Sequence, residues 1–358
     1  MKFKSEFFIN KRKISLSNPS YFIADIAANH DGKFDRVKKL VYLAKECGAD
    51  AVKFQHFLAP KIVSDYGFKN LGKKMSHQAK WKNSVYEIYK KYSFNRNWDE
   101  KIFELTKKIN IQWMTTPYDF DALKKVSKFS SVYKIGSGDI TWLEFIQAVS
   151  KKNKPITLAT GASNIKDVDN AVKIINTNND KICLMQCNTN YKNERNNFKH
   201  INLKVLNLFR KKYKNVILGL SDHTEGHATV LGAISLGARI IEKHFTDDNS
   251  RVGPDHYFSM NPNSWKEMIK NARELEDSLG SEKKIIEKNE LESAIVQRRC
   301  IRLNKNLLKG NIIKINDLTF LRPAPKNSLP PSKLKKILNK KLRINKKKGM
   351  EIFLSDIL

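Results

Sequence analysis

The chain has 358 residues, of which 41% are hydrophobic, 29% charged and 10% aromatic, a composition that excludes a disordered or fibrous protein. Its formal net charge is +31, which suits nucleic acid, an acidic membrane surface or an anionic substrate. No run of about 18 apolar residues occurs, and the lysine-containing N-terminus lacks an apolar segment, so we expect neither a membrane span nor an export signal.

Eight apolar, β-branched segments recur along the chain, each followed by a polar turn and a stretch with helical spacing. The predicted strands begin at Tyr21, Ala51, Ile111, Ser131, Pro155, Ile182, Val216 and Ala238. The predicted helices are Phe34–Cys47, Trp98–Ile109, Ala122–Ser127, Trp142–Lys151, Ile165–Ile175, Leu203–Tyr213, His227–Leu236 and Trp265–Leu279. Eight β-then-α units over about 250 residues predict an α/β fold of the TIM (β/α)8 barrel type.

One connection, residues 56–96, is longer than the others and contains Trp81, Tyr86 and His77. In a barrel it lies at the carboxyl ends of the strands, where active sites form. We interpret it as a lid or a substrate-contacting loop, with a plain surface excursion as the alternative.

The sequence changes character after Gly280. We predict a barrel domain over 1–280, a charged linker over 281–295 and a small, mostly-β domain over 296–358. The last domain has two short predicted strands, CIRL and IIKI, and predicted turns at Gly310 and Gly349.

Each predicted strand ends in polar or ionisable residues, among them Asp25, Lys53, Gln55, Thr116, Lys134, Ser137, Thr160, Asn188, Tyr191, Ser221, His223 and His244. Stability alone does not require polar residues at the carboxyl ends of all eight strands. The pattern therefore predicts an enzyme with its active site at the carboxyl ends of the strands.

His223 and His244 end neighbouring predicted strands, so their imidazoles are expected to face one point. Two neutral imidazoles with open positions suit a divalent metal ion that acts as a Lewis acid. The alternative for each histidine alone is a hydrogen-bonded core or turn residue.

Lys53 and Lys134 lie inside apolar strands, where an ammonium group requires an anionic partner. A bound phosphate is one such partner, and an internal Lys–Asp pair is the alternative. Ser137 lies between Gly136 and Gly138, and Thr160 precedes Gly161, which is typical of loops that bind phosphate through backbone N–H groups.

The four cysteines lack the close spacing of a disulfide framework and predict free thiols in a reducing, cytoplasmic environment. The basic tail has two aromatic residues, Phe320 and Phe353, too few for the stacking platform of a single-strand binder. We therefore interpret most of the positive charge as a solvated lysine-rich surface and predict neither a nucleic-acid nor a membrane partner.

The ordered motifs IADIAANHDG, ADAVKFQ, TTPYD, YKIGSGD, LATGAS, QCNTNY, GLSDHT, IEKHFT and VGPDHYFSMNP resemble those of the sialic acid synthase family, which includes synthases of other nonulosonic acids. The resemblance covers nearly the whole chain. The last domain, with RRCIRL, LLKGNIIKINDL and LRPAP, resembles the antifreeze-like (SAF) domain of those synthases.

This resemblance implies condensation of phosphoenolpyruvate with an amino- or acetamido-hexose aldehyde, release of phosphate, a divalent cofactor that is usually Mn²⁺, and a domain-swapped homodimer. The implied phosphoenolpyruvate contacts are Lys53, Thr116, Lys134, Ser137, Thr160, Asn188 and Ser221, and the implied metal ligands are His223 and His244. The implied sugar contacts are Gln55, Tyr191, Asp255 and Arg322, the last supplied by the second subunit.

Four departures from the family pattern lie near the predicted site. Asp25 replaces the glutamate that the family uses for proton transfer, and Ala27 replaces a glycine. Thr160 replaces a serine, and the family asparagine corresponds to Asn188 or to one of the two residues after it. The reaction class is expected to stand, whereas the identity of the sugar is open.

Three other functions are alternatives: a lysine aldolase using Lys53 or Lys134, a metal-dependent hydrolase, and a nucleic-acid-binding protein. The histidine pair argues against the first, and the two strand lysines with their glycine-flanked serine argue against the second. A phosphoenolpyruvate-dependent synthase for a different aldose is the nearest alternative.

Overall fold

The computed structural model describes residues 1–72, 75, 78–79, 81–191 and 195–358. The chain divides into two compact units, Met1–Gly280 and Ser281–Leu358. His77, which belongs to the predicted insertion, lies outside the described residues.

The strands of the first unit are β1 (Glu6–Ile9), β2 (Arg12–Ser15), β3 (Tyr21–Asp25), β4 (Ala51–His56), β5 (Gln112–Pro117), β6 (Tyr133–Ile135), β7 (Ile156–Ala159), β8 (Ile182–Cys187), β9 (Ile217–Asp222) and β10 (Ala238–His244). Its helices of at least four residues are α1 (Phe34–Glu46), α2 (Ala59–Ile62), α3 (Asp65–Asn70), α4 (Val85–Lys91), α5 (Asp99–Lys108), α6 (Phe120–Val126), α7 (Leu143–Ser150), α8 (Ile165–Asn176), α9 (Val205–Lys212), α10 (Ala228–Ser235) and α11 (Pro262–Leu279).

Strands β3 to β10 form a closed, parallel, eight-stranded barrel, which confirms the predicted TIM barrel. The barrel closes where β10 pairs with β3, in a register that sets His244 opposite Asp25. Apolar residues on the outward faces of the strands pack against the surrounding helices in one large core. The buried, β-branched runs of the sequence are the strands of this core.

An N-terminal hairpin, β1–β2, packs against the barrel at the ends where the strands begin. Phe7, Ile9 and Ile14 form a second hydrophobic cluster with inward-facing residues of the barrel such as Ile23 and Met114. The sequence analysis did not predict this hairpin, because its two strands have only four residues each and carry no extended alternation.

The insertion after β4 contains α2, α3 and α4. Helix α4 begins at a capping box in which Ser84 and Glu87 satisfy each other's backbone N–H groups. Arg96 fastens the end of the insertion by donating to the His56 carbonyl oxygen, 2.9 Å away, and by pairing with Asp119. The described part of the insertion is therefore a structured part of the face where the barrel strands end.

The second unit contains the helix α12 (Leu291–Val296) and the strands β11 (Cys300–Leu303) and β12 (Leu318–Leu321), which pair antiparallel. The predicted strand CIRL is β11, and Gly310 and Gly349 have positive φ, as the predicted turns require. Part of the segment predicted as a linker is helical, since α12 begins within it, and the Ala324 N–H donates to the Ile295 carbonyl oxygen.

The predicted strand IIKI is wrong. Only its first residue, Ile312, forms an isolated bridge, with Lys341. Within the segment, Ile313 exchanges backbone hydrogen bonds with residues 339 and 340, but the Lys314 N–H donates to the Asp317 side chain and a 3-10 turn begins at Ile315. Such a local bond competes with a strand ladder.

Among the described residues, no helix is long and apolar enough to cross a membrane.

Candidate active site

A cavity of about 380 Å³ opens at the carboxyl ends of the barrel strands. This volume lies within the range of small-molecule sites. The predicted site residues that line it are Asp25, Lys53, Gln55, Thr116, Lys134, Ser137, Tyr191, Ser221, His223, His244 and Asp255. The structure therefore brings together residues from all parts of the barrel sequence.

Asp25, the last residue of β3, is held by three donors. Its Oδ2 accepts from Lys53 Nζ at 2.7 Å and from Gln55 Nε2 at 3.0 Å, and its Oδ1 accepts from the Ala27 N–H at 3.0 Å. Burial raises the pKa of Asp25, but the charge of Lys53 and the hydrogen bonds from Lys53 and Gln55 outweigh burial and hold it below its ordinary value. Asp25 is therefore a fixed carboxylate at the edge of the cavity.

Glu242 is the residue that joins the two strand lysines. Its Oε1 accepts from Lys134 Nζ at 2.6 Å and from Ser221 Oγ at 3.2 Å, and lies 3.7 Å from Lys53 Nζ. Its Oε2 is buried and has no hydrogen-bond partner among the described residues. The sequence analysis did not assign Glu242 to the site, although the alternation of IIEKH places it on the same face of β10 as His244.

Both lysines are nearly excluded from solvent. Lys53 is 2% exposed and Lys134 is 3% exposed. Burial lowers the pKa of Lys53, but Asp25 and Glu242 outweigh burial and raise it above its ordinary value. The structure thus contains the internal pairs that the sequence analysis left open as an alternative to a bound anion.

Hydroxyl groups surround these ammonium groups. Ser221 Oγ lies 3.3 Å from Lys134 Nζ, and Thr116 Oγ1 lies 3.4 Å from Lys53 Nζ. Ser137 Oγ accepts from the Gly161 N–H at 2.9 Å. Two cations and three hydroxyls at one end of a cavity are groups that bind phosphate and carboxylate oxygens.

The two predicted metal ligands face each other across the cavity, with ring centroids 5.4 Å apart. His223 Nδ1 bonds to the Asn188 carbonyl oxygen at 2.9 Å, which fixes its ring and leaves Nε2 for another partner. His244 Nδ1 is buried and has no hydrogen-bond partner in the described part of the chain. Burial lowers the pKa of His244 to about 3, so its imidazole is neutral.

These histidines fit two ligands of a metal ion, because each ring faces the cavity and one buried nitrogen lacks a protein partner. Within the described ranges, no group of three or more His, Cys, Asp or Glu residues is arranged to hold a metal. An ion bound here would therefore take its remaining ligands from substrate or water.

Tyr191 and Asp255 complete the cavity near the histidines. The Tyr191 ring packs edge-on against His223, with centroids 4.4 Å apart. Asp255 Oδ2 accepts from the Ala28 N–H at 3.1 Å, and burial raises the pKa of Asp255 to about 6.

Three predicted contacts do not line this cavity. Thr160 and Asn188 line a neighbouring one; Thr160 Oγ1 donates to the Met185 carbonyl oxygen, and Asn188 Nδ2 donates to that of His200. Arg322 lies in the second unit and is exposed.

The cavity also contains residues that the sequence analysis did not assign. Asp139 follows the glycine-flanked Ser137, and burial raises its pKa to about 6. Cys187 lines the cavity beside His223; burial raises the pKa of this thiol, but the interaction with His223 outweighs burial and lowers it. Cys187 lies at the end of a predicted strand and Asp139 lies directly after a predicted turn. These positions were the signal in the sequence that could have identified both residues.

Comparison with known proteins agrees with this geometry. The NeuB family model matches residues 40–284. The chain is 32% identical to N,N'-diacetyllegionaminic acid synthase of Legionella pneumophila, over 92% of each chain. It is also 32% identical to an uncharacterized protein of Methanocaldococcus jannaschii, over 98% of each chain.

Among solved structures, the spore coat polysaccharide biosynthesis protein SpsE of Bacillus subtilis superposes with a TM-score of 0.65 at 26% identity and covers 99% of both chains. The family model spans more than half of the chain, and the motifs it covers supply most of the cavity. The chain therefore belongs to the NeuB family, the sialic acid synthase family that its motifs resemble.

Proposed function

We propose that this protein is a transferase that condenses phosphoenolpyruvate with an amino- or acetamido-hexose aldehyde to form a nonulosonic acid and inorganic phosphate. The observation that carries the proposal is the Lys53–Glu242–Lys134 arrangement at one end of the cavity, beside a fixed carboxylate and two imidazoles. The named synthase among the relatives supports the same reaction class.

In this proposal the two lysines hold the anionic groups of phosphoenolpyruvate, with Ser137, Thr116 and Ser221 as additional donors. Asp25 and Glu242 balance the charges of the two lysines, so a bound anion would be held by the lysine N–H donors and the neighbouring hydroxyls rather than by an excess of positive charge. Thr160 and Asn188 are proposed to shape the adjoining loops, whose backbone N–H groups include that of Gly161.

The reaction joins the methylene carbon of phosphoenolpyruvate to the aldehyde carbon of the sugar. Water then adds to the former enol carbon, and phosphate leaves with its bridging oxygen. Asp25 is proposed to exchange protons with the water or the new hydroxyl group, because it is ionised and lies at the cavity edge. Gln55 holds the same carboxylate oxygen and keeps it oriented.

His223 and His244 are the residues proposed to hold a divalent cation, with Mn²⁺ as the expected ion. When bound, such an ion supplies Lewis-acid polarisation of the sugar carbonyl. The remaining polar groups, Tyr191 and Asp255, are proposed to contact the sugar.

A lysine aldolase requires a lysine whose amine is neutral, which burial without an anionic partner produces. Lys53 has the opposite environment, since two carboxylates raise its pKa. This observation favours the synthase over the aldolase.

We further propose a homodimer in which Arg322 of each chain reaches the sugar site of the other. Substitution of Arg322 by alanine is expected to raise the KM for the sugar and leave phosphoenolpyruvate binding unchanged. A KM for the sugar equal to that of the wild type would contradict the proposed contact.

The test of the main proposal is phosphate release from phosphoenolpyruvate by the purified protein, with and without Mn²⁺, across a panel of acetamido, diacetamido and unsubstituted hexoses. Lys134→Met is expected to abolish phosphoenolpyruvate binding measured by calorimetry. Lys211→Met, an exposed lysine on α9, is the matched control and is expected to behave as wild type. Absence of release with every sugar would contradict the proposal.

A further inference from the structure

The insertion between β4 and α5 is strongly basic. Residues 57–98 contain nine lysines and arginines and two acidic residues, which gives a net charge of +7. Per residue, this charge is about twice the average of the chain. The sequence analysis interpreted most lysines as a solvated surface, but the fold sets those of the insertion apart, because part of the insertion lines the cavity.

Four lysines of the insertion lie at the edge of the cavity, and we call them the lysine rim: Lys61, Lys82, Lys90 and Lys91. Each is next in sequence to a residue that lines the cavity; these lining residues are Ile62, Trp81, Tyr89 and Tyr92. Neighbouring Cα atoms are about 3.8 Å apart, so the backbone of every rim lysine lies beside the cavity wall. All four lysines are exposed, so they lie where the cavity meets the solvent.

Acidic neighbours do little to neutralise the rim. Lys61 Nζ lies 3.5 Å from Asp121 Oδ2, but these side chains are 52% and 74% exposed, and water and salt screen such a pair. Lys90 and Lys91 form no ion pair with another described residue; Lys91 Nζ instead lies 5.3 Å from the centre of the Tyr92 ring. The rim therefore keeps most of its positive charge.

The cavity wall, by contrast, has no excess of positive charge. Its described acidic residues are Asp25, Asp139, Glu242 and Asp255, and its described lysines are Lys53 and Lys134. The imidazole of His244 is neutral and adds no charge. Even with a divalent ion on the two histidines, the positive charges of the wall would not exceed the negative ones.

This distribution of charge matters for an anionic substrate. Phosphoenolpyruvate has a carboxylate and a phosphate group, together about three negative charges near pH 8. A wall with balanced charge holds such an anion through short-range donors but attracts it only weakly from a distance. Positive charges around the entrance of a cavity provide the long-range attraction, and such fields raise association rates by about 10- to 1,000-fold.

We propose that the lysine rim is an electrostatic capture surface for phosphoenolpyruvate, which draws the anion to the cavity and takes no part in the chemical step. This inference rests on the proposed synthase function. The rim is expected to raise kcat/KM for phosphoenolpyruvate and to have no effect on kcat. It is also expected to leave the KM for an uncharged sugar unchanged, because a neutral molecule experiences no such attraction.

The test is phosphate release near pH 8 with Mn²⁺ and the uncharged hexose that supports the fastest release. The rim variant combines Lys61→Gln, Lys90→Gln and Lys91→Gln. For three lysines at about one Debye length from a triply charged anion, screened Coulomb attraction corresponds to a loss of about five- to tenfold in kcat/KM for phosphoenolpyruvate at about 0.1 M ionic strength. At about 1 M, where the Debye length is only about 3 Å, the variant is expected to match wild type within about twofold.

The matched control combines Lys152→Gln, Lys211→Gln and Lys214→Gln. It removes the same charge from exposed lysines in the connections that lead into β7 and β9, at the opposite end of the barrel. A third variant places arginine at the three rim positions, keeps their charge and is expected to behave like wild type. An unchanged kcat in each variant serves as the check on folding.

Equal losses in the rim and control variants, a lower kcat in the rim variant, the same loss in the arginine variant or a loss that persists in high salt would overturn this inference and leave the proposed function intact. If no sugar supports release, the proposed function fails, and calorimetric titration with phosphoenolpyruvate still tests the rim: affinity is expected to fall in the glutamine rim variant alone. Absence of phosphoenolpyruvate binding by the wild type would overturn both.

Discussion

At the scale of single residues, the position of Asp25 depends on the turn that follows it. The residue two positions later, Ala27, has a φ of +45°, in the left-handed region that favours glycine. In that conformation the Ala27 N–H donates to Asp25 Oδ1. The turn therefore fixes the shorter carboxylate close to the strand end, and the group that exchanges a proton with it has to approach from the cavity.

Replacement of Asp25 by asparagine is expected to lower kcat by about 10²–10⁴, the usual contribution of general acid–base catalysis. Phosphoenolpyruvate binding is expected to persist, because Lys53 retains Glu242 at 3.7 Å. Phosphate release measures the first effect and calorimetry the second. Asp65→Asn, which changes a partly exposed carboxylate of the insertion, is the control, and normal turnover by Asp25→Asn would remove Asp25 from the mechanism.

Glu242 is expected to be important for stability as well as for the site. Glu242→Leu leaves the Lys134 ammonium buried without its carboxylate, which is expected to cost about 3–5 kcal/mol of unfolding free energy. Denaturant unfolding measures this change. Glu6→Leu removes one partner of the exposed Glu6–Lys13 pair and is expected to cost at most about 1 kcal/mol. Equal losses in the two variants would contradict the assigned role of Glu242.

At the scale of elements, the loop after β10 is fastened to α1 through one carboxylate. Asp247 accepts from Arg36 at 3.0 Å, from Lys39 at 3.0 Å and from Arg251 at 3.0 Å. Arg36 also pairs with Asp31 at 2.8 Å, and Asp31 contacts His256 at 3.0 Å. This network attaches the loop that contains Asp255 to the turn that follows β3.

Replacement of Asp247 by asparagine is expected to cost about 1.5–3 kcal/mol near neutral pH, the range for hydrogen bonds to a charged group. Burial raises the pKa of Asp247, but its cationic partners outweigh burial and hold the pKa well below the ordinary value. The unfolded chain therefore takes up this proton first as the pH falls. The stability difference between wild type and variant is expected to be constant above about pH 5 and to shrink below about pH 4.

The pKa of Asp139 is shifted in the opposite direction from that of Asp247, so its effect on stability has the opposite dependence on pH. Burial raises its pKa to about 6, so its stabilising contribution is present below the unfolded pKa and is lost as the pH rises through 6. Asp139→Asn is therefore expected to increase stability above about pH 6 and to match wild type near pH 4. A pH-independent difference for either variant, measured by denaturant unfolding across this range, would contradict the corresponding pKa shift.

The elements of the barrel were predictable because each strand is buried on both faces and reads as a continuous apolar run. The same runs located Lys53, Lys134 and His244, since a polar residue at the end of such a run is conspicuous. The pairing through Glu242 was not predictable, because three other strands, β4, β6 and β9, supply its partners. Phe57, Tyr89 and Tyr118 were missed for a similar reason: they come from separate connections whose proximity depends on the closed barrel.

At the scale of the whole molecule, the groups that carry the chemistry of the first unit and the packing of its N-terminal hairpin lie at opposite ends of the barrel. The charged groups and the cavity lie where the strands end, whereas the N-terminal hairpin packs against residues near the strand starts, such as Ile23 and Ile217. In a TIM barrel the function depends on the region where the strands end, and the region where they start contributes mainly to packing. The hairpin is therefore expected to affect unfolding without affecting turnover.

Phe7→Ala tests this separation, with Phe8→Ala as a control from the same strand. Phe7 is 3% exposed and packs in the barrel cluster, whereas Phe8 is 56% exposed on the opposite face of β1. Truncation of Phe7 is expected to cost about 3–5 kcal/mol of unfolding free energy, and truncation of Phe8 about 0.5 kcal/mol or less. Phosphate release at a temperature where both variants are folded is expected to be unchanged, because neither side chain reaches the cavity. A loss of turnover in Phe7→Ala under those conditions would mean that the strand starts are coupled to the site through the barrel interior.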